Sequence, residues 1–185
     1  IAGKINFNKI RSIFEIGGGF GANTHLLIEN YPNIRKVFYL DIPPNLYVGT
    51  QYLKSFYGTA VIDYLETKQQ SSIKFADNDD LEIICIAPWQ IEQLDCEVDL
   101  FMNAHSFVEM PLEIAQNYAL VTSRLPNFKD SVIALTSYDH YDLSTTFNPD
   151  ELPRLFDNRE FASFKNKNLL NDSRSDICFI SIPSS

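Results

Sequence analysis

Cations are scarce in this chain. Lys and Arg number 15 against 24 Asp and Glu, a formal net charge of −9, and they form no cluster, so a nucleic-acid partner held through its phosphates is disfavoured. Cysteine is scarcer. Cys85, Cys96 and Cys178 are odd in number and lie at no metal-ligand spacing, which fits small buried hydrophobes in a reducing, cytoplasmic setting. No apolar run reaches the length of a membrane span and no secretory leader is visible, so no membrane partner is expected. Glycine is the most informative of the scarce residues. There are seven, and four of them are Gly17, Gly18, Gly19 and Gly21.

What remains is ordinary: 185 residues, 45% hydrophobic and 21% charged, the composition of one globular domain able to bury most of its surface. Ile10 to Ile16 reads as a first strand, apolar enough to be buried on both faces. A helix over residues 23–31 follows the glycines, with Asn23 as N-cap, Pro32 as stop, and Leu26, Leu27 and Tyr31 inward. Residues 36–41 form a second strand, and Pro43-Pro44 opens a helix with Leu46, Thr50, Leu53 and Tyr57 at helical spacing and Gly58 at its end. Residues 59–65 read equally as helix or strand, and 68–80 as loop.

Strands three, four and five cover residues 81–87, 98–103 and 131–137. A helix at 111–125 carries Ile114, Tyr118, Val121 and Leu125 on one face, and another helix spans 149–158. Residues 161–164 and 177–182 are two further strands with a polar connection of no helical period, hence an antiparallel hairpin. The expected fold is α/β: a doubly wound, seven-stranded, mostly parallel sheet ending in an antiparallel hairpin, in three α/β/α layers.

A strand, a glycine turn and a helix start make a cradle for a nucleotide-containing cofactor. The glycines alone also satisfy the nicotinamide pattern, since Gly17 to Ala22 reads G-x-G-x-x-A. Asp41, twenty residues beyond Gly21, would take ribose hydroxyls in either case; otherwise it caps the next helix. Two features favour another cofactor. Glu15 ahead of the glycines suits a cationic amino-acid end and would repel a pyrophosphate, and the final hairpin departs from an all-parallel sheet.

With Glu15-x-Gly17-x-Gly19-x-Gly21, the chain resembles the class I S-adenosylmethionine-dependent methyltransferases, whose sheet is Rossmann-like with an antiparallel last strand. Residues 14–21, 39–43, 87–89 and 99–110 are similar to the bacterial sugar O-methyltransferases. The resemblance implies that Gly17, Gly18, Gly19, Gly21 and Thr24 cradle the methionine end, with Glu15 supporting the loop or the amino group. It places Asp41 on the ribose, Ile42 beside the adenine, Trp89 in the adenine region and Asn103 next to the transferring methyl. It also implies substrate-determining helices ahead of the first strand. This chain starts almost at that strand, so residues 1–185 read as one methyltransferase domain, a fragment of a longer chain, with those elements missing here or belonging to the rest of the protein.

Transfer to a sugar hydroxyl needs a general base or a metal ion to take the proton. His105, just past the fourth strand, is the first candidate base; the other reading is a loop histidine. His140 is the second candidate, with the same alternative. Glu109 is a third, although Ser106-x-x-Glu109 before Pro111 also reads as a capping box. Asp139 with His105 or His140 could hold a divalent ion, yet the spacing matches no recognised ligand set. His25 either approaches the cofactor carboxylate or merely sits in its helix, and Trp89 either stacks on adenine or packs in the core. The acceptor expected is a small molecule or glycan. The competing functions are a nicotinamide-dependent oxidoreductase and a methyltransferase-like domain that binds without turnover.

Overall fold

Strands with no polar face must be covered on both sides, and that requirement organises this chain. In the computed structural model, which describes residues 3–139, 141–167 and 175–183, the elements run β1 (Ser12–Ile16), α1 (Ala22–Asn30), β2 (Lys36–Leu40), α2 (Pro43–Tyr57), β3 (Val61–Ile62), α3 (Tyr64–Thr67), β4 (Glu82–Ile86), β5 (Leu100–Ala104), α4 (Ser106–Glu109), α5 (Leu112–Thr122), β6 (Val132–Tyr138), β7 (Ala162–Lys167) and β8 (Ser175–Ser181). They form one sheet in the order β3-β4-β2-β1-β5-β6-β8-β7. Every pairing is parallel except those of β8, which runs antiparallel to both β6 and β7.

Alternate residues on these strands feed two cores. Phe14, Phe38, Ile84, Phe101, Leu135 and Phe179 pack with Ala115 and Ala119 of α5. Ile13, Val37, Tyr39, Ile83, Leu100 and Ala134 pack with Ile28 of α1 and Leu46 and Leu53 of α2. Phe14 touches Phe38 and Phe101 edge-on at centroid distances of 6.1 and 5.7 Å. Burying each such ring stabilises the fold by about 1.5–3 kcal/mol.

The three-layer α/β architecture is as expected, and the differences are local. There are eight strands among the described residues, because Val61 and Ile62 in the helix-or-strand stretch add a short edge strand against β4. Two residues are too few to show a period of two. Helix α1 starts at Ala22 behind Gly21, which has φ +91°, so Asn23 is not its N-cap. Its buried side chains are Thr24 and Ile28, while Leu26 is 61% exposed; Thr24 is drawn inward by the Glu15 carboxylate. Helix α5 turns Ala115, Ala119 and Thr122 to the sheet and leaves Ile114 outside, since small side chains let a helix lie closer. The segment read as a helix over 149–158 is a 3-10 helix, Pro149–Leu155. Pro153 lacks an N–H and clashes with an α-helical turn.

The two-strand end is tied down by one side chain. Arg159 donates from Nε to Ser181 Oγ at 3.0 Å, from one terminal nitrogen to the Lys129 carbonyl at 2.7 Å and from the other to the Ser131 carbonyl at 2.5 Å. A lysine cannot reproduce that planar fork. Arg159→Lys is therefore expected to lower unfolding free energy by about 1–3 kcal/mol in urea with an unchanged m-value; wild-type stability would show the fork to be dispensable.

Candidate active site

The strand order reverses at β1, which has β2 on one side and β5 on the other. Open α/β sheets bind ligands at the carboxyl edge at such a point, and the glycine loop, Asp41 and His105 all emerge there.

The loop is held from below. The Tyr39 ring is fully buried, and its hydroxyl donates to the Gly19 carbonyl. A Cβ at Gly18 would stand 2.4 Å from that ring, and one at Gly49 would stand 2.0 Å from its hydroxyl. Both glycines are there to admit Tyr39. Gly17, with φ +73°, admits Ser106, whose Oγ would lie 2.0 Å from an added Cβ. Gly21 abuts Leu53. Gly19 alone of the four, at φ +62°, faces open space, and its N–H donates to Asp41 Oδ2 at 2.7 Å.

Glu15 lies behind the loop rather than in it. It is wholly buried and accepts from Thr24 Oγ1 at 2.7 Å and Asn23 Nδ2 at 3.1 Å. The acid thus fastens the end of β1 to the first turn of α1. Burial pushes its carboxyl above the ordinary 4.5, against the lowering effect of these bonds. Burial likewise raises Asp41 above 3.8, although the N–H groups of Gly19 and Ile42 stabilise its charged form.

A cavity of about 410 Å³ lies in front. From the expected set it takes Gly17, Gly19, Asp41, Ile42, His105 and Glu109, and it adds Asn45 and Tyr118. Burial and the neighbouring Asp41 both raise the Tyr118 hydroxyl. Glu15, Gly18, Gly21 and Thr24 are not on its wall, and neither is Trp89, which is 63% exposed and so not core either. Asn103 is off this wall but lines the adjoining groove; its Nδ2 donates to the Ile16 carbonyl and Ser106 Oγ, while Oδ1 accepts from the Phe107 N–H. It staples β5 to β1. A second groove, also of about 410 Å³ and lined by Leu26, Leu27, Met102 and Ala134, runs along the α1 face of β5 and β6. Ala104 and His105 line both spaces.

His105 has φ +67° and ψ −35°, a strained backbone for a residue with a Cβ. Its N–H donates to the Thr136 carbonyl at 2.7 Å, and its ring packs on Tyr138 at 4.6 Å. Its Nε2 lies 3.3 Å from Asp176 Oδ1. Asp176 and Asn45 carry no mark in the sequence, and Tyr39 and Tyr118, legible there only within a strand motif and on a helix face, gain a place at the site through tertiary pairing. The Ser106-x-x-Glu109 capping box does not form. Ser106 is inside α4, with Oγ turned toward β1, and Glu109 accepts from the Tyr138 hydroxyl at 2.9 Å.

His25 is bound to the Tyr52 hydroxyl at 2.7 Å and packed on Phe56, away from the cavity. His140 lies outside the described residues. No group of three or more His, Cys, Asp or Glu suited to a metal occurs among the described residues, and Asp139 is engaged with Ser175 and Lys165.

No family model and no curated protein matches the sequence. Solved structures do, and they define the class of fold: that of the S-adenosylmethionine-dependent methyltransferases. Mitomycin 7-O-methyltransferase MmcR matches with a TM-score of 0.61 and 12% identity over 96% of this chain and 50% of its own. The S-adenosylmethionine-dependent methyltransferase SibL, in its apo form, matches at 0.59 and 12% over 98% of this chain and 53% of its own. Magnesium protoporphyrin IX methyltransferase from Synechocystis PCC 6803, with bound SAH, matches at 0.61 and 10% over 97% and 76%. The chain spans about half the length of the first two.

The raised carboxyls give a pH dependence with a definite sign. A folded state that binds protons more tightly than the unfolded one loses stability as pH rises through the raised value. Replacing Glu15 by Gln removes its share, so wild-type stability relative to Glu15→Gln should fall as pH rises above 4.5. Urea titrations across that range test this, and parallel curves would refute it. The strain at His105 is read separately: His105→Gly should be more stable than His105→Ala by about 1 kcal/mol, because only glycine relieves positive φ. Equal melting temperatures for the two would mean the backbone is unstrained.

Proposed function

We propose that this chain is an S-adenosylmethionine-dependent O-methyltransferase that methylates a hydroxyl of a sugar or sugar-containing small molecule in a cytoplasmic setting. The observation that carries the reading is the Gly19–Asp41 pair on the cavity wall. Gly19 leaves space where any side chain would intrude, and it abuts the carboxylate of Asp41, which lies just past β2 and is 5% exposed. That donor set fits the cofactor. The Asp41 oxygens accept the Gly19 and Ile42 N–H groups, the Asn45 side chain also bonds the carboxylate, and the acceptor capacity that remains faces the cavity, where the ribose hydroxyls would come. Ile42 and Tyr118 supply apolar walls, and the loop at Gly17 and Gly19 lets the methionine portion approach the backbone.

When bound, S-adenosylmethionine supplies a methyl group on a sulfonium as the electrophile. The protein's part is to align the acceptor oxygen, exclude water and remove the hydroxyl proton. His105 is the residue for the last step, since it borders both the cofactor cavity and the adjoining groove. Glu109, engaged by Tyr138, is the weaker candidate.

S-adenosylhomocysteine should raise the melting temperature while NAD leaves it unchanged; stabilisation by NAD alone would replace this reading with an oxidoreductase. Asp41→Ala should weaken S-adenosylhomocysteine binding at least tenfold by calorimetry. Unchanged affinity would place the cofactor elsewhere.

A further inference from the structure

We propose that Asp176 is a positioning residue that holds His105 in one tautomer, with Nε2 protonated and Nδ1 as the base. The proposal rests on the reading of His105 as the proton acceptor.

Three elements converge on this imidazole. Asp176, on β8, brings Oδ1 to 3.3 Å from Nε2. Tyr138, on β6, is paired in register with Asp176 and lies against the ring at 4.6 Å and 43°. The Tyr138 hydroxyl is in turn bound to Glu109 of α4. Among the described residues, the charged groups that bear on the imidazole are Asp176 directly and Glu109 through Tyr138, with Asp142 acting on the same tyrosine. Among the described residues no hydrogen bond engages Nδ1.

A carboxylate only accepts hydrogen bonds, so the nitrogen facing it carries the proton and the other has the lone pair. The acceptor O–H proton then passes to Nδ1. The resulting imidazolium keeps its Nε2–H on Asp176, whose negative charge offsets the new positive one, and the proton leaves later to solvent. The backbone supports the same conclusion. A non-glycine residue at φ +67° persists only where its surroundings over-determine it, and such outliers gather at functional sites. Here the Thr136 carbonyl fixes the backbone and Asp176 the side chain. The antiparallel β8 thereby acquires a task beyond closing the sheet: it delivers an acid to the far side of the candidate base.

The test reads the tautomer directly. Nitrogen-15 NMR of uniformly labelled protein, with His105 assigned through His105→Gln, should show the Nε2–H form in the wild type. Asp176→Asn should lose that preference, because a carboxamide can donate as well as accept, and Asp176→Glu should restore it. For any hydroxyl compound that the wild type methylates, Asp176→Asn should cut kcat about 10–100-fold, within what general-base catalysis supplies, and leave KM for S-adenosylmethionine unchanged. An identical tautomer in wild type and Asp176→Asn overturns the proposal, and so does wild-type turnover in His105→Gln. Failure of the parent reading looks different: the wild type would not bind S-adenosylhomocysteine, a result on which the tautomer measurement does not depend.

Discussion

The loop at the centre of this molecule depends on a tyrosine that never meets solvent. Tyr39 lies on the strand beside β1, and its hydroxyl reaches up to the Gly19 carbonyl. With the carbonyl held from below, the Gly19 N–H meets the Asp41 carboxylate and the Gly19 Cα faces an open cavity. Gly18 and Gly49 keep the ring in place by having no side chain. Two of the chain's few glycines therefore serve a tyrosine, and the open loop beside the cavity is a consequence of that packing.

The acids at the site work against their surroundings. Glu15 and Asp41 are both raised by burial in a chain that already carries a net charge of −9. Among the described residues neither has a lysine or arginine partner; each is held by neutral donors, Thr24 and Asn23 for the first, the Gly19 and Ile42 amides with the Asn45 side chain for the second. Such donors orient a carboxylate without neutralising it. Asp41 keeps acceptor capacity facing the cavity, while Glu15 spends its own on anchoring α1. That division gives a physical reason for an acid ahead of the glycines that does not involve contact with a cofactor.

Much of the architecture was legible in the sequence because burial leaves a local trace. The strands read as apolar runs, Pro43-Pro44 and Gly58 bounded a helix, and the polar link ahead of residues 177–182 marked an antiparallel strand. Helix faces were less legible. Leu26 and Ile114 had the hydrophobicity to face inward, yet Thr24 and Ala115 took those places, one through a hydrogen bond to a buried acid and the other through small size. Val61 and Ile62 were too few to declare a strand. The Ser106-x-x-Glu109 pattern was a sound local reading that lost to two tertiary partners, Gly17 making room for Ser106 and Tyr138 binding Glu109.

The class of sheet, the turn between β1 and α1, the acid just past β2 and the histidine after β5 follow from local sequence alone. Each of these is written in residues that are neighbours along the chain, where glycine freedom, strand hydrophobicity and helix boundaries operate. Which of those residues reach the cavity and which stand behind it, and the meeting of Asp176 with His105, come from long-range packing. Those outcomes depend on register between strands far apart in sequence, and hydrogen bonds such as that between His105 and Asp176, 71 residues apart, leave no pattern in either segment alone.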